Sequence, residues 1–205
     1  MTYATEQEAF WAGEFGEAYI DRNNSERLMV ANIALFRDLL RSAPGVGSIL
    51  ELGCNIGLNL RALNVLSPRF AMSGYEINDV AADKARALGI ADIISGSILD
   101  PLPTDKTYDL TFTKTVLIHI HPDQLDKVYA NLVDRSRRYI AVCEYYNPTP
   151  VTIPYRGNTE RLFKRDFAGE LIDRYGLQLV SYGFAYHRDP YHPQDDITWF
   201  LLEKP

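Results

Sequence analysis

The chain has 205 residues, 46% hydrophobic and 23% charged, which suits a globular fold with a substantial core. Its net charge of −6, from 21 basic and 27 acidic residues, argues against broad nucleic-acid binding, which needs a basic face. No apolar run approaches the length of a membrane span. The opening Met1-Thr2-Tyr3-Ala4-Thr5-Glu6-Gln7-Glu8 is too polar and acidic for a secretory leader, so a cytoplasmic protein is expected, with Cys54 and Cys143 as reduced thiols and no metal site.

Residues 4–20 carry a helical pattern, interrupted at Gly13 and Gly16 and rich in aromatics: Phe10, Trp11, Phe15 and Tyr19. Ser25 is placed to cap a second helix over 26–41, and Pro44-Gly45-Val46-Gly47 breaks the chain. Strand and helix patterns then alternate: strand 48–52, helix 57–66, strand 70–77, helix 79–88, strand 92–95, strand 108–113, helix 122–134, strand 138–143, helix 164–175. Two strands, 177–186 and 198–203, close the chain. This alternation predicts an α/β fold, a doubly wound parallel sheet with helices on both faces. The last two strands, with no helix between them, predict an antiparallel hairpin at one edge. No linker divides the chain, so one domain over 1–205 is expected, with 1–45 as a helical cover on a Rossmann-like core over 46–205.

Ligands of open parallel sheets bind beyond the carboxyl ends of the strands. The first such end is Glu51-Leu52-Gly53-Cys54-Asn55-Ile56-Gly57, a strand, a tight turn and a helix start. Glycines four apart let backbone approach a ligand, and the N–H groups of the helix start are expected to face it. The spacing is Glu-x-Gly-x-x-x-Gly, not the Gly-x-Gly-x-x-Gly of a nicotinamide-binding turn. The second strand ends in Tyr75-Glu76-Ile77-Asn78, where Glu76 is placed to accept both hydroxyls of a ribose. After the third come Ser97, Ile98 and Asp100: Ile98 to cover an adenine face, Ser97 or Asp100 to take its amino group.

The fourth strand delivers Lys114, His119 and His121, and the fifth delivers Glu144 and Tyr145, where a substrate would meet a cofactor. Histidine at a strand end suits a general base near neutral pH. Packing against the core is the competing reading of His119, and burial beneath the following loop that of Glu144 and Tyr145.

Together these segments resemble the class I S-adenosylmethionine-dependent methyltransferases. The resemblance implies a seven-stranded sheet with a late antiparallel strand, matching the order above. It implies that the turn carrying Glu51, Gly53, Asn55 and Gly57 holds the methionine part of S-adenosyl-L-methionine, that Glu76 holds the ribose, and that Ser97 and Ile98 meet the adenine. Many members have aspartate where Ser97 stands. A narrower resemblance covers nearly the whole chain. Phe10-Trp11-Ala12-Gly13-Glu14-Phe15-Gly16, Tyr19-Ile20-Asp21-Arg22-Asn23, Glu144-Tyr145-Tyr146-Asn147-Pro148, Tyr155-Arg156-Gly157 and Leu162-Phe163-Lys164-Arg165-Asp166-Phe167 are similar to the methylases associated with pseudaminic acid biosynthesis.

Methyl transfer from a sulfonium is an in-line displacement, so the protein has chiefly to position the acceptor; a base is needed only for a hydroxyl or a protonated amine. His119 is the expected base or orienter, with Glu144 and Tyr145 lining the acceptor pocket and Lys114 and Tyr155 near the substrate. The segment from Tyr155 to Arg165, read as a loop, holds Arg156, Arg161, Lys164 and Arg165 against Glu160. Arg156 is expected to bind a carboxylate or phosphate on a small acceptor: a sugar acid, a nucleotide sugar or a carboxylated intermediate. Trp11, Tyr19 and Arg22 form either a lid over the cofactor or a helix packed on the sheet. A non-catalytic S-adenosylmethionine-binding module, or a methyltransferase acting on RNA or protein, is the alternative.

Overall fold

The computed structural model describes residues 3–22, 25–103, 105–155 and 157–205, with backbone alone for Asp21, Arg22 and Asn158. Helices α1 (Glu6–Ala12), α2 (Glu14–Arg22) and α3 (Glu26–Leu40) come first. Thr5 caps α1 and Ser25 caps α3, each side chain accepting a backbone N–H three residues on. The expected break falls at Gly13, whereas Gly16 lies inside α2.

The core follows: β1 (Ser48–Leu52), α4 (Leu58–Leu66), β2 (Ala71–Glu76), α5 (Asp79–Arg86), β3 (Asp92–Ser95), β4 (Tyr108–Lys114), α6 (Leu125–Arg135) and β5 (Ser136–Glu144). Then come β6 (Val151–Tyr155), β7 (Asn158–Lys164), α7 (Phe167–Tyr175), β8 (Gln178–Ala185) and β9 (Ile197–Glu203). Seven strands form one sheet in the order β3-β2-β1-β4-β5-β9-β8. The first five are parallel, β9 runs antiparallel to β5, and β8 antiparallel to β9. The expected doubly wound sheet with a closing hairpin is therefore the fold of the chain.

Strand alternation sorts the core into two layers. Ile49, Leu110, Phe112, Ala141 and Cys143 pack with Leu35, Phe36 and Leu39 of α3 and Leu60 and Leu63 of α4. Leu50, Leu52, Ile140 and Val142 pack with Val128, Tyr129 and Leu132 of α6 and Phe167 and Leu171 of α7. Strands buried on both faces read as nearly continuous apolar runs, and each Leu or Ile so buried contributes about 1.5–3 kcal/mol.

Two expectations need correction. The helix expected over 164–175 begins only at Phe167, capped by Asp166, whose Oδ1 accepts the Gly169 N–H at 2.8 Å. Ahead of it, the segment read as a basic loop forms β7 and pairs antiparallel with β6, Thr152 opposite Phe163 and Ile153 opposite Leu162. Leu162 and Phe163 are buried, so hydrophobic burial outweighs the charge density that had suggested a loop.

Candidate active site

A cavity with about 170 Å³ of space open to water-sized molecules lies beyond the carboxyl ends of β1 to β4. The β1–α4 turn, the tip of β2, the Gly96–Leu99 segment and the turn after β4 form its inner walls; α1, α2 and α3 close it from outside.

The β1–α4 turn is held by its own amides. Gly53 and Cys54 N–H both donate to the Tyr75 carbonyl at 2.9 Å, Asn55 N–H to Glu76 Oε2 at 2.7 Å, Ile56 N–H to Asn55 Oδ1 at 2.7 Å, and Gly57 N–H to the Cys54 carbonyl at 2.9 Å. Gly53, Asn55 and Gly57 all take left-handed φ, at 81°, 46° and 78°. The glycines also serve packing. A Cβ on Gly53 would lie 2.6 Å from Val116 Cγ2, and one on Gly57 would lie 2.9 Å from Leu88 Cδ1. Gly57 is not on the cavity wall. All five turn amides from Gly53 to Gly57 are spent internally, so only the first N–H groups of α4 itself, from Leu58 onward, are left to face a ligand.

Glu76, 8% exposed, lies on the wall at the tip of β2. Its Oε2 takes the Asn55 N–H and its Oε1 the Asn78 N–H at 2.8 Å, so each oxygen keeps a lone pair for a further donor. Burial raises its pKa, opposed by these backbone donors. Asn78 caps α5 and donates through Nδ2 to the Trp11 and Ala12 carbonyls, which ties α1 to this end of the cavity. Ile98 and Ser97 line the same end as Glu76. Ser97 Oγ meets Glu8 Oε1 and also accepts the Leu99 N–H at 2.9 Å. Asp100 is exposed, and its carbonyl receives Asn131 Nδ2 at 2.8 Å.

Glu8 is a wall residue that the sequence reading missed. Thr5-x-x-Glu8 reads as a capping box, and half of it acts as one, since Glu8 N–H donates to Thr5 Oγ1. The Glu8 side chain instead bridges Ala4 N–H, at 2.7 Å, and Ser97, 89 residues away.

At the opposite end stand Lys114, Asn59 and Asn32, the two asparagines likewise missed. Glu51 and Phe112 are register partners, and Lys114 lies two residues beyond Phe112, so Glu51 and Lys114 both project toward α3 and α4. Glu51 is fully buried and behind the wall, not on it. Its Oε1 accepts Asn59 Nδ2 at 2.6 Å, and its Oε2 has no partner among the described residues. Burial lifts its pKa to about 8 against the opposing Asn59 bond and Lys114 charge. Lys114 is 8% exposed, and burial lowers its pKa. Asn32 Oδ1 accepts Gln194 Nε2 at 2.9 Å, leaving its own amide N–H₂. The clue in sequence was a lone polar residue in the apolar run Leu58-Asn59-Leu60.

His119 lies on the wall, 7% exposed. Its Nδ1 sits 2.6 Å from the Arg161 carbonyl of β7, which only accepts, so Nδ1 carries the proton and Nε2 a lone pair. Burial pushes its pKa down to about 4, leaving the ring neutral near pH 7. Trp11 stands 4.5 Å away and Tyr155 5.1 Å away, centroid to centroid. Trp11 and Tyr19 line the cavity and meet edge-on at 5.1 Å. Tyr155 is in contact with His119 but off the wall.

Glu144 and Tyr145 are not brought to the cavity. Glu144 Oε1 accepts Thr113 Oγ1 at 3.1 Å and the Val116 and Leu117 N–H groups at 3.0 Å, fixing the turn that carries His119. Burial lifts its pKa to about 7. Tyr145 packs between the two core layers, with Lys164 Nζ 5.1 Å above its ring. His121 is half-exposed and accepts the Asp123 N–H at 3.3 Å, away from the cavity wall. Arg161 pairs with Glu6 at 3.1 Å and Arg165 with Glu170 at 2.5 Å, so both are engaged within the protein. Arg156 and the Arg22 side chain lie outside the described residues.

No family model matches the chain, and no curated protein matches it. Solved structures do. The chain is similar to a magnesium protoporphyrin IX methyltransferase from Synechocystis with S-adenosylhomocysteine bound (TM-score 0.71, 11% identity, 97% of this chain and 98% of that one). It is also similar to an amino pentose methyltransferase of calicheamicin biosynthesis from Micromonospora echinaspora with S-adenosylmethionine bound (TM-score 0.66, 12% identity, 94% and 97%). An S-adenosylmethionine-dependent methyltransferase from Clostridium acetobutylicum aligns at TM-score 0.64 with 11% identity over 93% and 98%. At these identities the likeness establishes the fold, the Rossmann-like fold of class I methyltransferases.

Proposed function

We propose that the protein is an S-adenosylmethionine-dependent methyltransferase acting on a small polar molecule, with transfer to oxygen or nitrogen by in-line displacement. Glu76 carries the reading: a nearly buried carboxylate at the tip of β2, anchored by two backbone N–H groups and keeping a lone pair on each oxygen for two vicinal hydroxyls. Apolar Ile98 flanks it on one side, and on the other a turn whose amides are already spent. That chemistry fits a nucleoside without phosphates better than a dinucleotide.

S-adenosylmethionine, when bound, supplies a methyl group already activated on a positively charged sulfur. The chain's own residues then have three tasks. Glu76 accepts the ribose hydroxyls and Ile98 covers the base. Trp11, Tyr19 and α1 exclude water from the cavity. His119 Nε2 accepts a hydrogen bond from the acceptor's hydroxyl or amine, pointing its lone pair at the methyl carbon. A ring held neutral down to about pH 4 is suited to orienting an acceptor and is a weak base for deprotonating one.

Small-molecule chemistry is supported by the similar structures, two of which are named for a porphyrin and an amino pentose. An anionic acceptor, such as a sugar acid or nucleotide sugar, is supported by Arg156 and by the segments resembling the pseudaminic acid-associated methylases. Calorimetric titration with S-adenosylmethionine, S-adenosylhomocysteine and NAD tests the cofactor. Incubation with labelled S-adenosylmethionine and a metabolite extract, with mass detection of methylated species, tests the activity. Heat from NAD alone refutes the reading; tight S-adenosylmethionine binding without any methylated product favours a sensing module.

A further inference from the structure

Lys114 stands out among the buried charges. It closes β4 on the cavity wall at 8% exposure, yet no hydrogen bond or ion pair engages its ammonium among the described residues. Buried cations are costly unless an anion meets them. Glu51, the acid nearest it in register, is turned to Asn59 and lies behind the wall. Glu51, Asp195 and Glu144 act on it through space, but no carboxylate among the described residues is bonded to it, so the cavity presents a positive charge without a direct anionic partner at its β4 end.

Which anion belongs there follows from the order of the strands. Glu76 ends β2, and Ser97 and Ile98 follow β3, so the nucleoside end lies over β2 and β3. The β1 turn comes next, and Lys114 ends β4 on its far side. Neighbouring strands lie about 4.8 Å apart, so about 10 Å separates the β2 tip from the β4 tip. A nucleoside seated on Glu76 and extended by an amino-acid chain at its 5′ carbon spans that interval and delivers its charged end to Lys114. Asn32, with its amide N–H₂ left over, and Asn59, with its carbonyl oxygen left over, flank the same end. They supply a second donor for a carboxylate and an acceptor for an ammonium.

We infer that Lys114 binds the carboxylate of the cofactor's methionine part and thereby selects cofactors that carry that carboxylate. This rests on the proposed cofactor and moves Lys114 from the acceptor, where the sequence reading placed it, to the cofactor's tail. His119, Trp11 and Ile120 are left as the walls nearest the acceptor.

The test compares S-adenosylmethionine with its decarboxylated form, which keeps the nucleoside, the sulfonium and the amine, by calorimetry on wild type, Lys114→Met and Lys114→Arg. Wild type should bind S-adenosylmethionine roughly 10- to 100-fold more tightly, as expected for a charge-assisted pair. Lys114→Met should bind the two forms equally, chiefly by losing affinity for the carboxylated one, and Lys114→Arg should keep most of the preference. Equal binding by wild type overturns the inference without any variant. A preference that survives in Lys114→Met also overturns it and returns Lys114 to an anionic acceptor. Failure of both forms to bind wild type overturns the proposed function itself.

Discussion

Glu51 should set much of the pH dependence of folding. Its carboxyl is fully buried, holds one hydrogen bond, and is pushed from 4.5 to about 8, first by burial and against the Asn59 bond and the Lys114 charge. Between those values the unfolded chain ionises this group while the folded chain keeps it protonated, so stability falls as pH rises through the interval. At about 1.36 kcal/mol per pKa unit the whole interval amounts to about 5 kcal/mol, and most of it, roughly 3 kcal/mol, falls between pH 5 and pH 8. Glu51→Gln keeps the shape and an acceptor for Asn59 but cannot ionise. Urea denaturation of both proteins at pH 5, 6, 7 and 8 yields the difference curve, in which Glu144, raised to about 7, cancels because both proteins carry it. The variant should gain on wild type by roughly 3 kcal/mol between the ends of that range. Parallel curves would show that Glu51 ionises normally and that the environment assigned to it is wrong.

His119→Ala should lower turnover roughly 10- to 100-fold while leaving S-adenosylhomocysteine affinity within twofold. Because His119 stays neutral down to about pH 4, wild-type kcat/KM should show no histidine limb between pH 5.5 and 7.5, and such a limb abolished by the substitution would contradict its burial. Gly53→Ala should cost roughly 1–2 kcal/mol for the left-handed φ of 81°, plus a clash with Val116. Val116→Ala in that background should recover the clash and not the φ cost, and additive losses in the double variant would refute the interlocked turns. Glu8→Ala should release α1 from Ser97, weakening S-adenosylhomocysteine binding and speeding proteolysis within the first 25 residues; unchanged cleavage rates would detach Glu8 from closure.

The order of strands and helices was legible because it depends on local periodicity. Ile49-Leu50-Glu51-Leu52 and Tyr139-Ile140-Ala141-Val142 are apolar runs too short for helices, and in each case the next regular pattern read along the chain is helical. Strand-end logic placed Glu76, Ile98 and His119 on one cavity for the same reason, since parallel strands carry their carboxyl ends to one side of the sheet. The β6–β7 hairpin was missed because its charged residues outweighed the short Leu162-Phe163 pair in a composition-based reading.

Sequence alone determined the sheet, its helical layers and the residue types at each strand tip, because all of these follow from spacing along the chain. Tertiary structure alone decided what those residues do. Glu144 turned inward to hold the loop of His119, the β1–α4 amides closed on their own turn, and Arg161 was taken by Glu6, 155 residues away. Each outcome turns on which donor or charge lies within about 3 Å in space, a distance that spacing along the chain does not encode. Burial then fixed the protonation of Glu51 and His119 by removing water from groups whose sequence neighbours gave no sign of it.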